Sequence, residues 1–314
     1  MTDNTITNNE SEFDWFKNNG IYMPMINDTH RNIFYKRAIE SSAAGKTVCD
    51  IGTGTGLLSI LAAKAGASKV ISVEMDPGRA AFAKSMIDKV GLGDKIEIIN
   101  DNFYNTDIKA DLYISETIGT SIFNEHIINI SKHALRNGGV FLPGQFEIFA
   151  RVYENHPIFP IVQQRSDAFE FQPDIEIDQT FETAINTAFQ SQHGLDSTLY
   201  RANAIDDLFN QLHKFTDLKL NLLYESEPLI VDLNSTVNTE DIKITIPSQE
   251  VFFENDGGCC VVIFWRCRHG DIVLKSEDSM WGHMSKIILN RTRNPGKDIT
   301  TWFDPTLNDW RFSF

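Results

Sequence analysis

Two glutamates, Glu116 and Glu125, stand nine positions apart in the stretch ISETIGTSIFNEHI (residues 114–127). Apolar residues and a glycine lie between them, and the stretch follows a run that reads as a buried strand. An ionised carboxylate only accepts hydrogen bonds, so a pair of them on one loop suits a cationic group. In isolation the same pair reads as two solvated acids on a surface loop. The elements around it have to decide.

A glycine turn lies upstream. DIGTGTG places Gly52, Gly54 and Gly56 between an apolar strand and an apolar helix, with Asp50 just before the turn. Glycines there let a ligand approach the backbone, and a helix N-terminus adds partial positive charge. The spacing is GxGxG and not the GxGxxG of dinucleotide folds. The next strand, ISVEMD, ends in Glu74, eighteen residues after Gly56, where a carboxylate can take both hydroxyls of a ribose. The set fits S-adenosylmethionine (SAM) better than NAD, whose pyrophosphate is what the helix N-terminus of a dinucleotide fold holds.

These residues need a frame. TVCDI, KVISVEMD, KIEIIND and ADLYISE read as strands, and the segments after the first two read as helices, from LLSILAAKAG and GRAAFAKSMIDKVGL. Alternation of this kind argues for right-handed βαβ units, a doubly wound Rossmann-like α/β domain with a parallel sheet. THRNIFYKRAIESS precedes it as an amphipathic helix with Ile33, Tyr35 and Ile39 as core candidates. The alternation stops near residue 140. Short β runs follow in GGVFLPGQFEIFARVY, DIKITIPSQEVFF, CCVVIFWRCR, DIVLKSE and SKIILN. We therefore expect a disordered segment at 1–12, a SAM-binding domain at 13–145 and a mostly β, barrel-like domain at 146–314. Helical periodicity at about 178–222 marks an insertion, either a dimerisation arm for a homodimer or a cover for the barrel. Asp101, after the third strand, is a further candidate for the adenine.

The net charge of −15 speaks against a nucleic-acid partner held by a basic surface, and it suits a cationic small molecule or a basic peptide. No apolar run approaches membrane-spanning length and no leader is evident, so neither a membrane nor export is expected. The cysteines Cys49, Cys259, Cys260 and Cys267 have neither a disulfide framework nor zinc spacing, and a cytoplasmic setting is the expectation. No metal-ligand cluster is visible in the sequence.

The stretch Ser115, Glu116, Gly119 and Glu125 resembles the double-E loop of the protein arginine methyltransferases. GIYMPMINDTHRNIFY resembles the same family's helix with a Met, an Asp and, three later, an Arg. The resemblance implies that Met25 packs on the cofactor, that Arg31 pairs with its carboxylate, and that Asp28 lies in the active site. It places Phe16 where the family has a tyrosine folding over SAM. It also implies a pairing of Asp28 with His283, from DSMWGHMSKIIL, where Met284 stands in place of the family's Trp and Trp281 lies two residues before the His. Thr117 and Thr120 also depart from the family's bulkier residues.

The implied chemistry suits the residue types. A guanidinium is planar, permanently charged and a poor nucleophile. Two carboxylates can bind its fork bidentately and fix its plane, with Asp28 and His283 carrying the proton outward. The expected acceptor is arginine, in a protein or peptide or as free L-arginine. Two alternatives stand beside it: a SAM-dependent methyltransferase of another small-molecule amine or hydroxyl, and a non-catalytic SAM-binding scaffold.

Overall fold

The computed structural model describes residues 25, 26, 28–119, 122–154, 222–251, 259–276, 286–290 and 297–313. The expectations for the segment 1–12, Phe16, Thr120, Trp281, His283, Met284 and nearly all of the insertion at 178–222 lie outside these residues.

The chain enters through α1 (Thr29–Glu40), capped by the Asp28 side chain, which accepts from the Arg31 backbone N–H. Then β1 (Thr47–Ile51), α2 (Leu57–Lys64), β2 (Lys69–Val73), α3 (Pro77–Lys89), β3 (Ile96–Ile99), β4 (Leu112–Ser115), α4 (Ile127–Leu135) and β5 (Val140–Leu142) alternate along the chain. The five strands form one parallel sheet in the order β3-β2-β1-β4-β5. Strand order reverses between β1 and β4, and a crevice beyond their carboxyl ends is where such sheets hold ligands. α2 is buried along nearly its whole length, which is why its sequence is apolar all round and shows no polar face.

The β-rich part begins at β6 (Gln145–Glu154), after a cis Leu142–Pro143 peptide. It continues with β7 (Leu222–Glu225), β8 (Leu229–Asp232), β9 (Lys243–Ile246), β10 (Cys259–His269), β11 (Ile272–Lys275), β12 (Lys286–Asn290), β13 (Ile299–Asp304) and β14 (Asp309–Ser313). β6 and β10 pair antiparallel over ten residues and carry β7, β8, β11 and β12 at their flanks. A second antiparallel sheet runs β14-β13-β9. Strands β7, β8, β13 and β14 and the helix α4 add to the elements expected from sequence. Of the three core candidates on α1, Tyr35 and Ile39 are buried, while Ile33 is only half-buried.

One continuous apolar core joins both parts. Its spine is a run of edge-on aromatic pairs: Trp310 with Phe303, Phe303 with Phe123, Phe123 with Phe146, and Phe146 with Trp265. Phe123 lies in the loop between β4 and α4, so the loop holding the two glutamates is packed into the β-rich part.

A second tie lies at the sheet edge. Asn234, just after β8, accepts from the Phe141 N–H at 2.7 Å and donates to the Phe141 carbonyl at 3.0 Å. Its side chain thus pairs with β5 as another strand would. Replacing it leaves both backbone groups without their partner. Asn234→Ala is expected to lower stability by about 1–3 kcal/mol, read as a lower urea midpoint with an unchanged m-value.

Candidate active site

The site is assembled from the end of β1, the end of β2, the end of β4 and the first turns of α1. Arg31 anchors it. As the third residue of α1 it points inward with 3% of its side chain exposed, and Tyr35 lies one turn on along the same face. The guanidinium lies 5.5 Å from the Tyr35 ring centroid. Nη2 donates to Glu116 Oε2 at 2.8 Å, and Nη1 donates to Asn32 Oδ1 at 2.9 Å. Asn32 in turn donates to the Ile26 carbonyl at 2.7 Å, and the Tyr35 hydroxyl donates to the Ser115 carbonyl at 3.1 Å. Burial alone would lower the Arg31 pKa, but the Glu116 charge and hydrogen bond, together with Tyr35 and Asp28, more than offset it, so the guanidinium stays charged. Burial and then the Glu116 charge push the Tyr35 hydroxyl well above its usual range.

Sequence resemblance gave Arg31 to the cofactor's carboxylate; here its terminal nitrogens engage Glu116 and Asn32. Arg31 Nε is buried and has no acceptor among the described residues. That donor fits a carboxylate arriving from a ligand. Asp28 is fully buried and serves α1 as its N-cap, accepting from the Arg31 N–H at 3.0 Å. Met25 is buried in the core.

The glycine turn is shaped by three positive φ values, at Gly52, Gly54 and Gly56. Glu74 pins the turn from the neighbouring strand: Oε2 accepts from the Gly54 N–H at 3.1 Å and Oε1 from the Asp76 N–H at 3.0 Å. Beneath the turn, Asp50 Oδ2 accepts from the hydroxyls of Thr53 and Ser59, at 2.8 and 2.6 Å, while Ser59 also meets Ser72. Asp50 Oδ1 is buried with no partner among the described residues. Burial is the main cause that lifts the Asp50 carboxyl to about 6, with Glu74 adding to it and the two hydroxyls opposing it. Asp101 is exposed beyond β3, where Oδ1 accepts from Asn102 and Asn105.

The loop after β4 carries the two glutamates in unlike settings. The Glu116 side chain is 7% exposed and fixed on Arg31, whereas Glu125 is exposed. Between them the chain reverses at a bridge of Gly119 with Ile122. A Cβ on Gly119 would lie 2.0 Å from Asn124 Oδ1 and 3.0 Å from Glu125 Cγ, so any other residue there would force the Asn124 side chain to move. Ile122 (φ 68°) and His126 (φ 66°) both hold left-handed backbone. For a buried β-branched residue that conformation costs about 1–3 kcal/mol and persists only where packing enforces it. Thr117 closes the gap to the glycine turn: its Cγ2 would be 3.6 Å from a Cβ on Gly52, and Ser115 ties its hydroxyl to Ile51 and Thr117.

Sequence reading missed Asn32, Ser59 and Ser72, and it took Tyr35 for core packing alone. Only the i, i+4 spacing of Arg31 and Tyr35 carried a signal; Asn32 acts through Arg31 and Ile26, and Ser59 and Ser72 through the packing of α2 on β1 and β2, contacts that leave no pattern of residue types in the sequence.

Comparison with known proteins follows this geometry. The model of the ribosomal protein L11 methyltransferase (PrmA) family matches residues 36–144. An arginine N(omega)-methyltransferase from Streptomyces achromogenes subsp. streptozoticus is 31% identical over 153 residues, 45% of this chain and 42% of that protein. Protein arginine N-methyltransferase 6 of Danio rerio is 33% identical over 146 residues, 44% of this chain and 42% of the relative. The chain thus spans about two fifths of the length of these curated relatives. The crystal structure of PRMT6 with SAH superposes with a TM-score of 0.60 at 18% identity, over 94% of this chain and 98% of the other. Residues 36–144 thus resemble a methyltransferase family, the two relatives compared in sequence are named arginine N-methyltransferases, and the fold is shared with PRMT6.

Proposed function

We propose that this protein transfers a methyl group from SAM to a guanidino nitrogen of arginine, in a peptide or as the free amino acid. The observation that carries the reading is the buried Arg31–Glu116 pair, set at the switch point of the sheet with Glu125 on the same loop.

The residues fit the cofactor. An amino-acid zwitterion offers an acceptor and a donor, and the site holds buried polar atoms of both kinds that have no hydrogen-bond partner among the described residues, Arg31 Nε as a donor and Asp50 Oδ1 as an acceptor. Glu74, whose oxygens also accept from the Gly54 and Asp76 N–H groups, would accept from the ribose hydroxyls. Met75 beside it is 69% exposed, an apolar side chain that can cover an adenine. When bound, SAM supplies an electrophilic methyl group on a sulfonium.

The acceptor is a weak nucleophile, so the protein's part is to hold the guanidinium fork in plane and in line. In the proposed roles Glu116, oriented by Arg31, fixes one edge and Glu125 the other, drawing positive charge away from the attacking nitrogen. Asp28, paired with His283, would take the proton outward. Phe16 would close over SAM. A homodimer through the segment 178–222 belongs to the same reading, and sedimentation of the full chain checks it.

Methyl-labelled SAM offered with free arginine and with an Arg/Gly-rich peptide, followed by amino-acid analysis, tests the function and its substrate class together. Label in neither acceptor would reject it.

The two glutamates should respond differently to removal. Glu125→Gln, at an exposed position, is expected to leave stability within about 0.5 kcal/mol and to lower turnover by about 10²-fold or more. Glu116→Gln lowers turnover too, but it also strips the countercharge from a buried arginine. It should cost about 3–5 kcal/mol of stability and weaken SAM binding, because Arg31 loses its orientation. Denaturation midpoints and calorimetric SAM titration separate the two.

Asp50 gives a pH signature. Its carboxyl titrates near 6 in the folded protein against an ordinary 3.8, so the folded state binds the extra proton between those values. Stability without ligand therefore falls as pH rises through that window, while a cationic cofactor prefers the ionised form. SAM affinity should rise from about pH 5 to about pH 7 and level off above. Asp50→Asn should flatten that rise in titration calorimetry.

A further inference from the structure

Glu125 lies on a loop held in left-handed backbone at Ile122 and His126. Something outside the loop must hold it there. The tight turn between β13 and β14, residues 304–309, packs against it from the far end of the chain. That turn is itself well fixed. Asp304 Oδ1 accepts from the backbone N–H groups of Thr306 and Leu307, and Phe303 donates its N–H to the Ile242 carbonyl at 3.0 Å. The Phe303 ring meets Phe123 edge-on at 5.4 Å.

At the end of the turn Asn308 adopts φ 55°, and its side-chain amide Nδ2 donates to the carbonyl of Asn124, the residue before Glu125. Left-handed backbone alone is best served by glycine. What asparagine adds is the amide, and here the amide is spent on the glutamate loop, 184 positions away in the sequence.

We propose that Asn308 is a positioning residue for Glu125: its amide fixes the Asn124 carbonyl and so the direction from which the second carboxylate meets the guanidinium. The proposal rests on the guanidino-methyltransferase reading above and deepens it. It makes the β13–β14 hairpin part of the catalytic arrangement without touching substrate or cofactor.

Asn308→Gly is the clean test, since glycine keeps the backbone conformation and removes only the amide. Its SAM dissociation constant should stay within about twofold of wild type. Its kcat on the guanidino acceptor should drop by about 10- to 100-fold, the scale of a small misplacement. Asn308→Asp, which keeps the size but offers an acceptor to a carbonyl, should not restore the rate. In the Glu125→Gln background the same change should cost less than about twofold, because a residue acting through Glu125 has nothing left to position. An unchanged kcat, or an equal loss in both backgrounds, overturns the proposal. Hydrogen exchange gives a readout independent of turnover: Asn308→Gly should speed the amides of Asn124–His126 while leaving α1 and the glycine turn as they are. Unchanged exchange there also overturns it. If the wild-type protein methylates neither arginine nor peptide, the guanidino reading fails, and the exchange result alone decides the role of Asn308.

Discussion

Arg31 enters the interior on the first turn of α1 with almost no solvent left to it. Removing a guanidinium from water costs several kcal/mol unless a countercharge and hydrogen bonds meet it. That requirement organises the site. Glu116 must stand at the end of β4 to supply the charge, and Asn32 must turn its oxygen inward to take the second nitrogen. Tyr35 must lie under the guanidinium and bond Ser115, which fixes α1 against the strand that carries Glu116. Cys267 on β10 is close enough that the Glu116 charge, after burial itself, raises its thiol pKa well above the usual range. The β-rich part thus reaches the same pair from below, and a change at Arg31 is felt by both parts of the molecule.

The loop of the two glutamates shows how the cost of an unusual backbone is met. Left-handed conformation at Ile122 and the close approach at Gly119 are unfavourable locally. They are offset by the burial of Phe123 among Phe146 and Phe303, and by the burial of Ile122 itself. An isolated parallel-sheet domain would lack Phe146, Phe303 and Asn308. The β-rich part is therefore needed for the shape of a loop that belongs, in sequence, to the other part.

Much of the parallel-sheet part was legible because its signals are local. Strand and helix alternate at short range, the glycine turn has its own spacing, and Glu74 falls at a fixed interval from it. The β-rich part was less legible for physical reasons. β13 alternates buried and half-buried residues, but one buried position is Thr301, whose hydroxyl bonds the Arg311 carbonyl, so the apolar alternation is broken. β7 and β8 are four residues each, with Leu222 and Ile230 left exposed. At the site, Glu116 and Glu125 could be found from their spacing, but not their difference. That Arg31 claims Glu116 across 85 positions, and Asn308 holds the loop across 184, are facts of folding that no window along the chain contains.

The difference between the two glutamates also bears on how a guanidinium could be accommodated. Glu116 is committed before any ligand arrives: its charge is shared with Arg31 and its position is set by two elements. A carboxylate so held makes a poor lone receptor, since half its field is already answered. Glu125 is exposed. On the proposed reading the pair works as one fixed jaw, Glu116 on Arg31, and one exposed jaw, Glu125, with the fixed jaw setting the plane. On that same reading, both carboxylates meet the cationic acceptor, and its alignment with the cofactor comes chiefly from Glu116 through Arg31. Two carboxylates with equal exposure would both be drawn toward water; the buried ion pair keeps the first of them from drifting, and the hairpin at Asn308 restrains the second.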